Sequence, residues 1–131
     1  MTNSTLKSMQ PTSNCHYLQL SPSALALMAD FFKVLSEVSR LQIICCLKSG
    51  AKNVTQIIES TGLGQANVSK HLKVLAQAGI VTRTQQGVSV YYDIANPFLF
   101  EVCDLVCESL VAQMQQQNQH LEQLRAIQIA V

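Results

Sequence analysis

Apolar and polar residues change period along this chain, and the changes divide it into about five helices and one hairpin. Leu25, Met28, Phe31, Phe32 and Leu35 recur at helical spacing behind Ser21-Pro22, where the serine can cap and the proline occupies a position that needs no N–H. A second helix is expected from about Val38 to Lys48. Its Leu41, Ile43, Ile44, Cys45, Cys46 and Leu47 make it apolar on nearly every side, which predicts a central, buried helix. Gly50 ends it, and Asn53 can cap a third helix whose Val54, Ile57 and Ile58 face inward. After the turn Thr61-Gly62-Leu63-Gly64 comes a fourth helix, Gln65 to Ala78. It sets Val68, Leu72 and Leu75 on one face and Ala66, Lys70, Lys73 and Gln77 on the other, with His71 at the border.

Beyond Gly79 the period falls to two. Ile80-Val81-Thr82-Arg83-Thr84 and Val88-Ser89-Val90-Tyr91-Tyr92-Asp93-Ile94 read as two strands, the second with Val88, Val90, Tyr92 and Ile94 on one face, and Gly87 supplies the tight turn between them. Asn96-Pro97 opens a last helix with a broad apolar arc of Phe98, Val102, Leu105 and Val106. Leu110, Met114, Leu121 and Leu124 continue it at near-heptad spacing through a glutamine-rich stretch, as an extended helix for pairing would. The pattern predicts a mainly α fold with a β-hairpin wing, a winged helix-turn-helix over residues 21–112. Residues 1–20, rich in Thr, Ser, Asn and Gln, are expected to form a mobile arm, and 113–131 an extension of the last helix.

Composition narrows the function. At 131 residues the chain has room for one modest core, and 48% hydrophobic content with 5% aromatics suits helices packed with Leu, Ile, Val and Ala. No apolar run reaches the roughly 20 residues that span a bilayer, so a cytosolic protein without membrane partners is expected. The five cysteines Cys15, Cys45, Cys46, Cys103 and Cys107 do not suggest a disulfide framework in that compartment. No Cys-X-X-Cys pair and no obvious base beside a cysteine points to an enzyme.

Net charge is only +1, yet Ser60 to Tyr92 contains no acid and carries Lys70, Lys73 and Arg83, while Glu101, Asp104 and Glu108 follow. A positive patch therefore coincides with the turn between helices and with the wing, which is where double-stranded DNA would lie. Gln65 and Asn67 can bond adenine bidentately, Lys70 and Lys73 suit phosphate, and Arg83 and Gln86 reach the backbone from the wing. A solvated amphipathic helix has the same periodicity, and a winged fold serving only protein interaction is the reading from another functional class.

Phe32-Lys33-Val34-Leu35-Ser36-Glu37-Val38-Ser39-Arg40-Leu41-Gln42-Ile43-Ile44, Val68-Ser69-Lys70-His71-Leu72-Lys73-Val74-Leu75, Ala78-Gly79-Ile80-Val81 and Tyr91-Tyr92 together resemble the ArsR-SmtB family of winged-helix repressors. The resemblance covers about residues 25–110. It implies a homodimer formed through the first and last helices, bound to an inverted-repeat operator and released by an inducer, with Ser69, Lys70 and His71 at the DNA. Two common metal sites of the family have no counterpart here. The last helix lacks the Asp-X-His pair with its later His and Glu, and the third helix lacks a Cys-X-Cys run.

A subgroup senses reactive sulfur through one cysteine in the second helix, directly after an Arg-Leu-Leu-Ile-Leu run, and one in the last. Cys45 matches the first position, and Cys107 falls about a turn before the second. Cys103 and Cys107 lie one turn apart on the same side of their helix, and Cys46 adjoins Cys45. The thiol-sensing candidates are therefore Cys45, Cys107, Cys103 and Cys46, with no cofactor. The alternative inducer is arsenite or zinc held by Cys103 and Cys107 with Cys45 or Cys15 as a third ligand, and the plain alternative is that these cysteines are small core hydrophobes.

Overall fold

A computed structural model describes residues 19–130. The arm at residues 1–20, with Cys15, falls almost wholly outside the described residues. The α-helices are α1 (Pro22–Leu35), α2 (Val38–Cys46), α3 (Val54–Thr61), α4 (Gln65–Gln77) and α5 (Phe98–Ala130), with a 3₁₀ turn at Leu47–Ser49 and strands β1 (Val81–Gln86) and β2 (Ser89–Ile94) between α4 and α5. Local chemistry sets the starts. Ser21 Oγ accepts the Ala24 N–H with Pro22 behind it, Asn53 and Gln56 exchange side-chain bonds at 2.9 Å in a capping box, and Asn96 Oδ1 accepts the Phe98 N–H at 3.0 Å.

The core lies where α2, α3 and α4 meet. Ile43, Ile44 and Leu47 from α2 and its 3₁₀ turn pack with Ile57 of α3 and Val68, Leu72 and Leu75 of α4, and Ile80, Val81 and Leu99 close the cluster. Helix α2 is central on one side only. Val38, Leu41 and Cys45 are exposed, so the expected all-round burial is corrected: nothing among the described residues covers that side.

The hairpin is antiparallel, with Val81 opposite Ile94, Arg83 opposite Tyr92 and Gln86 opposite Ser89. Gly87 takes φ +63° at its tip. Val88 is the second residue of that turn and is fully exposed, so it does not join Val90, Tyr92 and Ile94 against the body. The base of the wing is held by backbone pairing that the side-chain pattern does not encode: Lys52 N–H donates to Tyr92 O at 2.9 Å, and Tyr92 N–H to Lys52 O at 2.8 Å.

Two helices contribute little to the core. No residue of α1 is buried, and it meets the body through half-buried Val34 and Leu35. Helix α5 seats Leu99 and half-buries Phe100, then runs exposed from Asp104 to Ile129. At 33 residues it is about 50 Å long. No helix among the described residues is long and apolar enough to cross a membrane.

The packing predicts unequal costs for loss of side chain. Ile44→Ala is expected to lower unfolding free energy in urea by about 2–5 kcal/mol, and Val88→Ala by less than about 0.5 kcal/mol. Similar costs at the two positions would contradict this placement of the core.

Candidate nucleic-acid interface

The angle between α3 and α4 is set at the turn Thr61-Gly62-Leu63-Gly64. Gly62 ends α3 at φ +73°, where a side chain would be strained, and its N–H donates to Ile58 O at 2.8 Å. Thr61 Oγ1 donates to the Ile57 carbonyl at 2.7 Å and accepts the Leu63 N–H at 3.3 Å. Leu63 then packs half-buried against the core. The turn is thus held by its own polar groups and by one apolar anchor.

Helix α4 has two distinct sides. Val68, Leu72 and Leu75 are buried; Gln65, Asn67, Ser69, Lys70 and Lys73 are exposed. Side chains cap α1 and α3, but Gly64 offers none to α4. Its first-turn N–H groups therefore have no side-chain acceptor, the arrangement that receives a phosphate oxygen. Arg83 and Gln86 are exposed on β1, and Gln85 Nε2 donates to Gly87 O at 3.4 Å near the tip. Among the described residues no carboxylate forms an ion pair with Lys70, Lys73 or Arg83. Their positive charge is left to an external partner.

His71 is the exception among the sequence-predicted contacts. Its side chain is only 2% exposed and faces inward, with Nδ1 accepting from Arg40 Nε at 3.3 Å and Nε2 lying 3.2 Å from Glu37 Oε1. The expectation that His71 lies at the DNA is corrected on this ground: a ring packed among Arg40, Glu37 and the core cannot reach a groove. The signal was present in the spacing. Position 71 lies three residues after Val68 and four before Leu75, squarely on the buried stripe. Arg40 and Glu37, its partners, carried no comparable signal, because they lie 31 and 34 residues away in sequence.

The thiols divide by exposure. Cys45 and Cys107 are exposed, whereas Cys46 and Cys103 are half-buried. Burial pushes the Cys46 thiol up, opposed by the Lys52 ammonium and reinforced by Cys45. Burial also pushes Cys103 up, and the charges of Cys45, Cys107 and Asp104 add to it. Cys45 of α2 is thus one of the charges that act on Cys103 of α5, and the four described cysteines are all free thiols. No three His, Cys, Asp or Glu side chains among the described residues converge on a metal-sized site. Cys15 lies outside the described residues.

Comparison with known proteins gives this geometry a family. Residues 37–83, which contain α2, α3, α4 and the start of the wing, match the family described as "Bacterial regulatory protein, arsR family". The HTH-type transcriptional regulator Rv0081 of Mycobacterium tuberculosis is 33% identical over 101 residues, covering 76% of this chain and 89% of the relative. Its crystal structure superposes with a TM-score of 0.67 at 29% identity, covering 75% of this chain and 98% of that one. The homodimeric winged helix-turn-helix domain Mb0332 of Mycobacterium bovis gives a TM-score of 0.63 at 28% identity, over 72% of this chain and 94% of that one. The antimony-specific transcriptional repressor AntR gives 0.64 at 25%, over 75% and 88%. With the reading helix, the turn and the wing in the order that these relatives share, the chain belongs to the ArsR family of DNA-binding transcriptional regulators and is not an enzyme.

Proposed function

We propose that this protein is a cytoplasmic, homodimeric repressor that holds an inverted-repeat operator through α4 and the wing and leaves it when cysteines near the α2–α5 contact are modified. The observation that carries the DNA half is the exposed, acid-free surface of α4 and β1, with three cations that form no ion pair among the described residues. Gln65 and Asn67 serve as base readers, Ser69, Lys70 and Lys73 as backbone and phosphate contacts, and Arg83 and Gln86 as wing contacts.

Pairing follows from surplus apolar surface. Leu25, Leu27, Met28, Phe31 and Phe32 on α1 and Leu105, Val106, Leu110 and Met114 on α5 are exposed, far more than a monomer usually leaves to water. A second copy is the cover that this reading supplies. Two recognition helices then have to sit about one DNA turn apart, and a change at the α2–α5 contact alters that spacing. Exposed Cys45, acting with Cys103 and Cys107 of α5, is the trigger in this reading. Metalloid induction is the second reading. The antimony-specific neighbour favours it, and Cys45, Cys103 and Cys107 would have to gather further, or recruit Cys15, to supply three thiolates.

Each half has its measurement. Lys70→Ala, which removes one phosphate contact from each subunit, is expected to weaken operator binding across sequences and to reduce the log–log salt slope by about 1.8 per dimer, while Asn67→Ala costs about 1–3 kcal/mol per half-site and relaxes base preference. Unchanged affinity and slope in Lys70→Ala would remove α4 from the interface. For the trigger, the reduced protein on its operator is challenged with persulfide, peroxide, arsenite and zinc, followed by intact mass. Cys45→Ser is expected to stay bound under persulfide when the parent dissociates; its release alongside the parent would refute the thiol switch, and a mass gain of arsenic or zinc would favour the second reading.

The shifted thiols give an independent expectation. A raised pKa leaves less thiolate at neutral pH, so iodoacetamide at pH 7 is expected to alkylate Cys45 before Cys46 in the folded protein, with the difference lost in denaturant. Equal rates in the folded state, read by peptide mass, would contradict it.

A further inference from the structure

The contacts of Arg40 reach in three directions. Its Nη1 donates to the Val34 carbonyl in the last turn of α1 at 3.2 Å, its Nη2 lies 3.4 Å from Glu37 Oε2 at the α1–α2 corner, and its Nε donates to His71 Nδ1 on α4 at 3.3 Å. Glu37 closes the ring through Oε1, 3.2 Å from His71 Nε2. Because Nδ1 accepts from an arginine that can only donate, the ring proton sits on Nε2 and points at the carboxylate. Each polar atom of the imidazole thus has one partner, and each partner belongs to a different part of the chain from α4.

The polarity of this position has no packing reason. Val68, Leu72 and Leu75 beside it are aliphatic and fully buried, and an apolar residue at 71 would fill the same volume without desolvating a ring and an arginine. Hydrophobic contact lets a helix slide or roll slightly at little cost; two directional bonds to fixed partners do not. The histidine lies on the same helix as Gln65 and Asn67, one to two turns further along, so whatever fixes its ring fixes the roll of α4 and with it the direction in which those two base-reading side chains project.

We propose that His71 is a positioning residue for DNA recognition, and that Arg40 and Glu37 form with it a latch that sets the roll of α4 relative to the end of α1. The latch touches no DNA. It ties the reading helix to the α1–α2 corner, so a movement of α1 is transmitted to α4 through Arg40 as well as through the core. The inference rests on α4 being the helix that enters the groove.

The test compares operator and random-sequence duplexes by fluorescence anisotropy with full-length variants, alongside thermal unfolding. His71→Gln keeps one acceptor for Arg40 and one donor for Glu37, and is expected to bind the operator as the parent does. His71→Leu keeps volume but neither bond; it is expected to lose about tenfold in operator affinity, the scale of one or two buried hydrogen bonds, with random-sequence affinity and salt slope unchanged. Glu37→Ala, at a half-exposed position that tolerates change, is expected to move in the same direction by a smaller factor and decides the matter if His71→Leu does not fold. A purely structural role would lower the melting temperature and weaken both duplexes together. The latch is overturned if folded His71→Leu, or Glu37→Ala in its place, keeps the parent's operator-to-random ratio. Lys70→Ala and Asn67→Ala are the controls: if neither weakens operator binding, the assignment of α4 to the groove fails instead.

Discussion

Because α4 buries Val68, His71, Leu72 and Leu75 along one side, the directions of Gln65, Asn67, Ser69, Lys70 and Lys73 follow from the helix period and need no loop to hold them. The burial has to come from α2 and α3, since Ile43, Ile44, Leu47 and Ile57 supply most of the opposing surface. One cluster therefore both folds the domain and aims the reading face. The turn at Gly62 adds the crossing of α3 and α4, and the Lys52–Tyr92 backbone pairs fix the wing to the segment just before α3. The wing and the reading helix share a frame although ten residues separate Lys70 from Val81.

That economy leaves the rest of the apolar sequence unspent. Hydrophobic content is 48%, yet α1 buries nothing fully and α5 is seated only by its first turns. Helical structure that long and that exposed gains little from its own propensity and needs a packing partner to persist. The same residues that make the protomer incomplete are those a second copy would cover. Folding and pairing are coupled in this reading, and the cost of leaving α1 and α5 in water is the driving force for assembly.

How much of this could be read from the residues alone varied with what kind of force fixed each part. The helices, the hairpin and the exposed side of α4 were legible because each is a local periodicity backed by a local stop signal: Ser21-Pro22, Asn53, Gly62 and Gly87 all act as the side-chain chemistry predicts. Two apolar assignments were not. Val88 fits the alternation of β2, but the hairpin register turns the chain at Gly87-Val88, and a turn residue has no inward face. Val38, Leu41 and Cys45 look like core because apolar residues surround α2 in sequence, while burial depends on how many neighbours arrive, and too few do. His71 was misplaced for a third reason. The helix period puts it at the border of the two faces and the family resemblance put it at the DNA, whereas its Arg40 and Glu37 partners, which make burial tolerable, come from a separate helix and corner.

The thiols sit where these constraints leave most freedom. Leu99 and Phe100 hold the first turn of α5 on the body, and Phe100 also carries Lys48 above its ring at 5.8 Å, so that end of the helix is fixed. Cys103 is one turn further on and still half-buried; Cys107 is a turn beyond that and exposed, at the point where α5 loses contact with the protomer. In the proposed thiol reading, a covalent or ionic change that links Cys45 to either of them acts on the departure of a long helix from its support. A small angular change there is multiplied along the roughly 35 Å of helix beyond Cys107. In that reading the cysteines need no large energy to matter, because Cys103 and Cys107 flank the point where α5 leaves the body.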